Sequence, residues 1–125
     1  MNKQELVKQY FRAFETKDLK ELKKIYATNV RLKDWEMEAV GRKAVLAANK
    51  STFNSVGTIC VDVHALGISD NSAMCKILIA IDDDVRLEVL DIIEFDDAGK
   101  IVSIVASKDP AALAAALALP PYKGN

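Results

Sequence analysis

The chain has one histidine and no cysteine pair at metal-ligand spacing. A single imidazole excludes a multi-histidine metal centre, and Cys60 and Cys75, isolated from each other, do not form a zinc motif. A Ser-His-Asp or Cys-His machine would have to use His64, and no nucleophile motif accompanies it. The run Asp82-Asp83-Asp84 lacks the spaced ligands of a calcium loop, and Gly41 and Gly57 form no phosphate-cradling pattern. Neither a metal nor a cofactor is expected. There is no basic run, and the net charge is −1, so nucleic-acid binding lacks its electrostatic basis. Aromatic residues make up only 6% of the chain, too few for a surface that stacks single strands. No apolar run approaches the roughly 20 residues of a membrane span. The polar, charged N-terminus does not read as a signal peptide, so the expected compartment is cytoplasmic and the two cysteines are expected as free thiols.

What remains is a chain of 125 residues, half of them hydrophobic, which suits one domain with a real core or pocket. Asn2 and Glu5 form a capping signal for a first helix. Leu6, Val7, Tyr10, Phe11, Ala13 and Phe14 follow at helical spacing. Tyr10 lies inside that apolar stripe, so its hydroxyl needs a buried partner. Asp18 and Glu21 cap a short second helix with Leu19, Leu22, Ile25 and Tyr26 inward, ending over residues 27–29. Val30, Leu32 and Asp34 alternate as a short strand, and residues 36–40 read as a loop. Gly41 opens a third helix over residues 42–53. Three longer strands follow over residues 58–68, 73–81 and 85–95, then a fourth over 101–107. Asp109 and Pro110 signal a further short helix start, and residues 109–125 form an Ala/Leu-rich tail within the same domain. Helix, helix, short strand, helix and meander together give an α+β domain: a curved antiparallel sheet with helices packed on one face, enclosing a cone-shaped cavity.

The stretch from Val85 to Phe95 carries the most information. Val85, Leu87, Val89, Asp91, Ile93 and Phe95 alternate with Arg86, Glu88 and Glu94. Period two marks a half-buried strand, and Asp91 falls on its all-apolar face. A carboxyl there needs a partner or holds its proton. Tyr10, Asp34 and Asp91 are thus three polar groups on faces that should be buried, and they form the candidate site. His64 lies on a mixed face and reads as an ordinary strand residue. Leu90 and Ile92 point to the other side of the sheet, which favours a homodimer through that face.

The segments LVKQYFRAF (6–14), KDLKELKKIYATNVRLKD (17–34), the GRKAV helix start from Gly41 and VLDIIEFDDAGKIVSI (89–104) resemble the NTF2-like superfamily. That is the cone-shaped fold of ketosteroid isomerases and SnoaL-like polyketide cyclases, and the likeness spans residues 6–108. The resemblance implies N-terminal helices on the concave face of the sheet and a hydrophobic small-molecule ligand. In the isomerases a first-helix tyrosine and a strand aspartate hold the enolate oxygen, while an aspartate after the first short strand moves the proton. Tyr10, Asp91 and Asp34 match those three positions, which implies proton transfer next to a carbonyl, of isomerase or cyclase type. The chain departs from the isomerases in several places. The segment from Asp34 to Gly41 is shorter, and Trp35 stands where they have proline. Asn49 replaces a second tyrosine, and the Ala-rich tail is an addition. The same fold also serves as a non-catalytic ligand-binding or dimerisation module, which is the alternative reading.

Overall fold

In the computed structural model, which describes residues 2–108, the chain begins on its capping signal. The Asn2 side chain accepts from the Glu5 backbone N–H at 2.8 Å and starts α1, Lys3–Glu15. One face of α1 buries Val7, Tyr10, Phe11 and Ala13. Asp18 caps α2, Leu19–Ile25, by accepting from the Glu21 N–H at 3.0 Å. The expectations for residues 109–125 lie outside the described residues.

Tyr26 is not the last apolar position of α2, as its spacing suggests. It takes extended angles (φ −79°, ψ 138°) and opens β1, Tyr26–Lys33, so residues 27–29 are strand rather than helix end. Its place is set by tertiary pairing: Tyr26 lies opposite Ile101 of the last strand and is wholly buried. Residues 36–40 are likewise not all loop. Glu38–Val40 forms β2, antiparallel to β1, with Leu32 opposite Ala39. The helix after Gly41 is α3, Arg42–Ser55. The remaining strands are β3 (Ile59–Ser69), β4 (Ser72–Ile81), β5 (Val85–Phe95) and β6 (Ile101–Ser107).

The six strands form one sheet in the order β2-β1-β6-β5-β4-β3. All neighbouring pairs are antiparallel except β1 with β6, which run parallel. The long connection from β1 to β6, through β2, α3 and the meander, lets this pair run parallel rather than as a hairpin. The three helices cover the concave face. Leu22, Val45, Ile93, Ile101 and Ile104 are at most 1% exposed between the two layers. Each such aliphatic side chain contributes about 2 kcal/mol relative to exposure.

One cation ties the helical layer together. Lys17, in the α1–α2 turn, takes a left-handed backbone angle (φ 57°). Its ammonium donates to the carbonyl oxygens of Phe53 (3.0 Å), Val56 (2.6 Å) and Gly57 (2.8 Å). These are the otherwise unpaired carbonyls at the C-terminus of α3, where the helix dipole favours a cation. The three bonds offset the strain of a non-glycine residue at positive φ. Lys17→Met is expected to lower unfolding stability by about 2 kcal/mol. Lys17→Gly should lose less, because glycine relaxes the backbone while the ammonium bonds are lost in both. Urea denaturation of the two variants checks this.

Candidate functional site

Period two along β5 sends Val89, Asp91 and Ile93 into the concave face, as the sequence implies. Asp91 faces Cys75 across β4 and Ala106 across β6 and is 6% exposed. Among the described residues no cation pairs with its carboxyl, which keeps only this small exposure. Burial, and secondarily the negative charge of Asp34, push it from the ordinary 3.8 up to about 7. The same burial, with Asp91 alongside, pushes the Cys75 thiol up to about 12, so Cys75 is an inert core thiol.

Asp34 reaches the cavity from the turn between β1 and β2. The strand ends at Lys33, and the Asp34 Oδ1 accepts from the N–H groups of Glu36 (2.8 Å) and Met37 (2.9 Å). The Asp34 N–H donates to the Met37 carbonyl at 3.0 Å. Aspartate closes this turn because its short side chain mimics a backbone acceptor. Its other carboxyl oxygen takes no hydrogen bond among the described residues. The carboxyl is therefore anchored on one side and open on the other.

Tyr10 finds its buried partner in Tyr26. The two rings lie 6.4 Å apart, the Tyr10 hydroxyl donates to the Tyr26 oxygen, and Tyr26 donates to the Asn49 Oδ1 at 2.7 Å. Burial raises the pKa of both phenols well above their ordinary range, so both keep their protons. Asn49 is 3% exposed, one turn beyond Val45 on the inward face of α3. Tyr26 and Asn49 were not among the sequence-derived candidates. The i, i+4 spacing of Asn49 from Val45 was the available signal for one of them. No such signal existed for Tyr26, whose element was misread.

A cavity of about 370 Å³ brings these groups together, lined by Tyr10, Asp34, Asn49 and Asp91 and otherwise mainly by aliphatic and aromatic side chains. Trp35 and Glu36 stand exposed at its rim. Among the described residues no lysine, arginine or histidine lines it. His64 is elsewhere: it occupies the bulge between Val63 and Ala65 on β3, exposed, with its Nε2 3.6 Å from Asp62. Among the described residues no group of three or more histidine, cysteine or acidic side chains is disposed to hold a metal ion. The site is thus two carboxyls in an apolar chamber, one open and anchored by amides, one buried. A phenol chain packs alongside.

Residues 7–104 match the model of the SnoaL-like domain. The chain belongs to the SnoaL-like domain family. Nothing among curated proteins matches it. Solved structures share its fold at low identity. An NTF2-like protein of unknown function from Cytophaga hutchinsonii ATCC 33406 superposes with a TM-score of 0.74 at 16% identity, over 90% of this chain and 95% of that one. An LEH-like epoxide hydrolase from M. tuberculosis gives 0.73 at 16% identity, over 93% and 94%. A Kribbella flavida DSM 17836 protein proposed to be a ketosteroid isomerase gives 0.71 at 21% identity, over 82% and 73%. These likenesses establish the NTF2-like cone for this SnoaL-like chain.

The raised Asp91 carboxyl makes folding depend on pH. Between about pH 4 and pH 7 the folded SnoaL-like domain holds a proton that the unfolded chain has released. The contribution of Asp91 to stability is therefore greatest below that window and falls as pH rises through it, by about 4 kcal/mol in total. In Asp91→Asn and Asp91→Leu this slope should disappear, and Asp91→Leu should be more stable than the parent at pH 8. Urea denaturation at several pH values, with NMR titration of the Asp91 carboxyl carbon, checks the direction and the window.

Proposed function

We propose that this SnoaL-like domain catalyses proton transfer next to a carbonyl on a hydrophobic small molecule, in a reaction of isomerase or cyclase type. The observation that carries this reading is the pairing of Asp34 and Asp91 in one apolar cavity, with different exposure and different hydrogen bonding. Two carboxyls whose environments separate them serve as base and acid. Asp34, held through Oδ1 by two amides, takes the proton from the carbon beside the carbonyl with its free oxygen and delivers it to the product. Asp91, carrying its own proton, donates a hydrogen bond to the oxygen as enolate charge develops there. In a chamber lined mainly by apolar side chains, such a donor stabilises charge more than it would in solvent.

Tyr10 is the second donor, after a rearrangement. In the resting arrangement its proton is committed to Tyr26. Turning the Asn49 amide over exchanges two groups of the same shape and needs no new space. Its NH₂ then donates to Tyr26, Tyr26 donates to Tyr10, and the Tyr10 hydroxyl is released toward the substrate.

Deuterium exchange at the α-carbon of a methyl ketone, followed by NMR in D₂O, tests the reading. Asp34→Asn should lower the exchange rate by about a thousandfold, within the usual range for a positioned base. It should leave the binding of a phenolate-type enolate mimic intact. The rate should decline as pH rises through about 7, where Asp91 gives up its proton, and Asp91→Asn should remove that decline. Binding without any exchange in the parent protein would leave a non-catalytic pocket.

The assembly that goes with this function is a homodimer through the convex face of the sheet. Met74, Ile92 and Val105 lie side by side across β4, β5 and β6. Met74 is 46% exposed and Ile92 and Val105 are half-buried, with Leu90 beside them. The Lys76–Glu88 pair, 3.6 Å apart, borders this stripe. Apolar area of this kind is usually covered in soluble proteins. No helix among the described residues is long and apolar enough to cross a membrane, and the proposal places the domain in the cytoplasm. Sedimentation at micromolar concentration should give a dimer for the parent chain and a monomer for Ile92→Glu.

A further inference from the structure

The cavity has two unlike ends. Tyr10, Asp34, Asn49 and Asp91 gather where α1, the end of β1, β5 and the middle of α3 meet. Its other end, between β3, β4 and the start of β5, is lined by Val56, Ile59, Val61, Ile79, Ile81 and Leu87. Of these six only Ile59 is buried; the other five are half-buried although they lie on the helix-covered side of the sheet. Around Asp91 the same face is sealed: Val89, Ile93 and Ile104 are at most 1% exposed. Among the described residues the apolar end therefore lacks the cover that the polar end has.

Register fixes the dimensions. Leu87 is four residues from Asp91 on the same face of β5, roughly 14 Å at the strand rise. Val61 lies opposite Ile79, which lies opposite Leu87, so the chamber also extends two strand spacings, roughly 10 Å, across the sheet. At roughly 30 Å³ per heavy atom, the 370 Å³ chamber holds about a dozen non-hydrogen atoms. A body of that size that touches both ends is elongated rather than broad. Among the described residues its polar head meets two carboxyls and no cation, so an anionic head is repelled and loses its hydration without compensation.

Building on the proton-transfer reading, we infer that the substrate is an uncharged, elongated ketone or aldehyde of about a dozen heavy atoms, its carbonyl at Asp91 and its apolar body along β5 towards Leu87 and Ile79. Carboxylic acids of the same length are excluded. Leu87 and Ile79 set the length that is accepted.

The probes are straight-chain methyl ketones of about six to fourteen carbons and the matching fatty carboxylates. Each is titrated into the full-length protein at pH 6, where Asp91 keeps its proton and the fatty carboxylates have lost theirs. Binding is followed by the emission of Trp35, the single tryptophan, which stands at the cavity rim, and by calorimetry. Ketone affinity should rise about fourfold per added methylene, the value for burying one CH₂ group, and then level off where the chain fills the space to Leu87. Carboxylates should bind at least about tenfold more weakly than ketones of equal length. Leu87→Phe should move the levelling point to shorter chains and Leu87→Ala to longer ones. Affinity that ignores chain length, carboxylates that bind as well as ketones, or a levelling point unmoved by both Leu87 variants would overturn the inference. So would absence of ketone binding altogether, which would give the apolar end to some other occupant. Repeating the ketone ladder in Asp34→Asn separates the two readings. A ladder that persists there while the parent shows no deuterium exchange defeats proton transfer alone. Exchange without a ladder defeats the substrate shape alone.

Discussion

A carboxyl group sits in the concave, apolar face of a curved sheet with no cation beside it among the described residues. Asp91 costs the fold stability at neutral pH, since its charge is largely withdrawn from solvent and no cation among the described residues pairs with it. The surrounding layers have to hold without its help. They do so through the aliphatic layer around Leu22, Val45 and Ile93 and through a helical roof fixed in place by Lys17. A chamber that stays open beside a destabilising group is what separates this domain from a simple two-layer core. A core optimised for stability would place Leu or Val at position 91 and close the space.

The other buried polar groups are arranged differently. Tyr10, Tyr26 and Asn49 satisfy one another in sequence, and among the described residues no fully buried side-chain nitrogen or oxygen is left without a partner. The domain thus holds two kinds of polarity within one wall. The phenol–amide chain is saturated and adds order. The two carboxyls keep open acceptor or donor capacity towards the cavity. Hydrogen-bonding capacity left unused inside a protein is available to a ligand, and here it is confined to the β1–β5 end of the chamber.

Much of this could be read from residue order. The alternation from Val85 to Phe95 located β5 and sent Asp91 inward, and the signals at Asn2 and Asp18 located two helix starts. What escaped was decided by contacts remote in sequence. Tyr26 continues the helical spacing of Leu22 and Ile25, yet pairing with Ile101 draws it into a strand. Residues 38–40 carry no strand pattern of their own and become β2 by lying against Arg31 and Leu32. The bulge at His64 shifts the inward face of β3 partway along, which no regular alternation can express. Asp34 was assigned to the site from its place in the chain. Its anchoring by two amides depends on a turn whose closure only the folded backbone defines.

The parallel pairing of β1 with β6 has a consequence for how the chain reaches its fold. Residues 31–33 lie beside residues 103–105, so the sheet joins its β2–β1 hairpin to its β3–β6 meander only at this seam. During synthesis the last strand leaves the ribosome after nearly everything else described here. Until then the β1–β2 hairpin on which α3 packs has no strand to join it to the meander that carries Asp91. Contacts between such distant residues carry a large loop-closure cost and are formed late. A nascent or proteolysed chain that ends before residue 101 would hold two separate sheet fragments, with the edges of β1 and β5 unpaired and open to other strands. The same seam that completes the pocket therefore also decides when the domain stops being prone to aggregation.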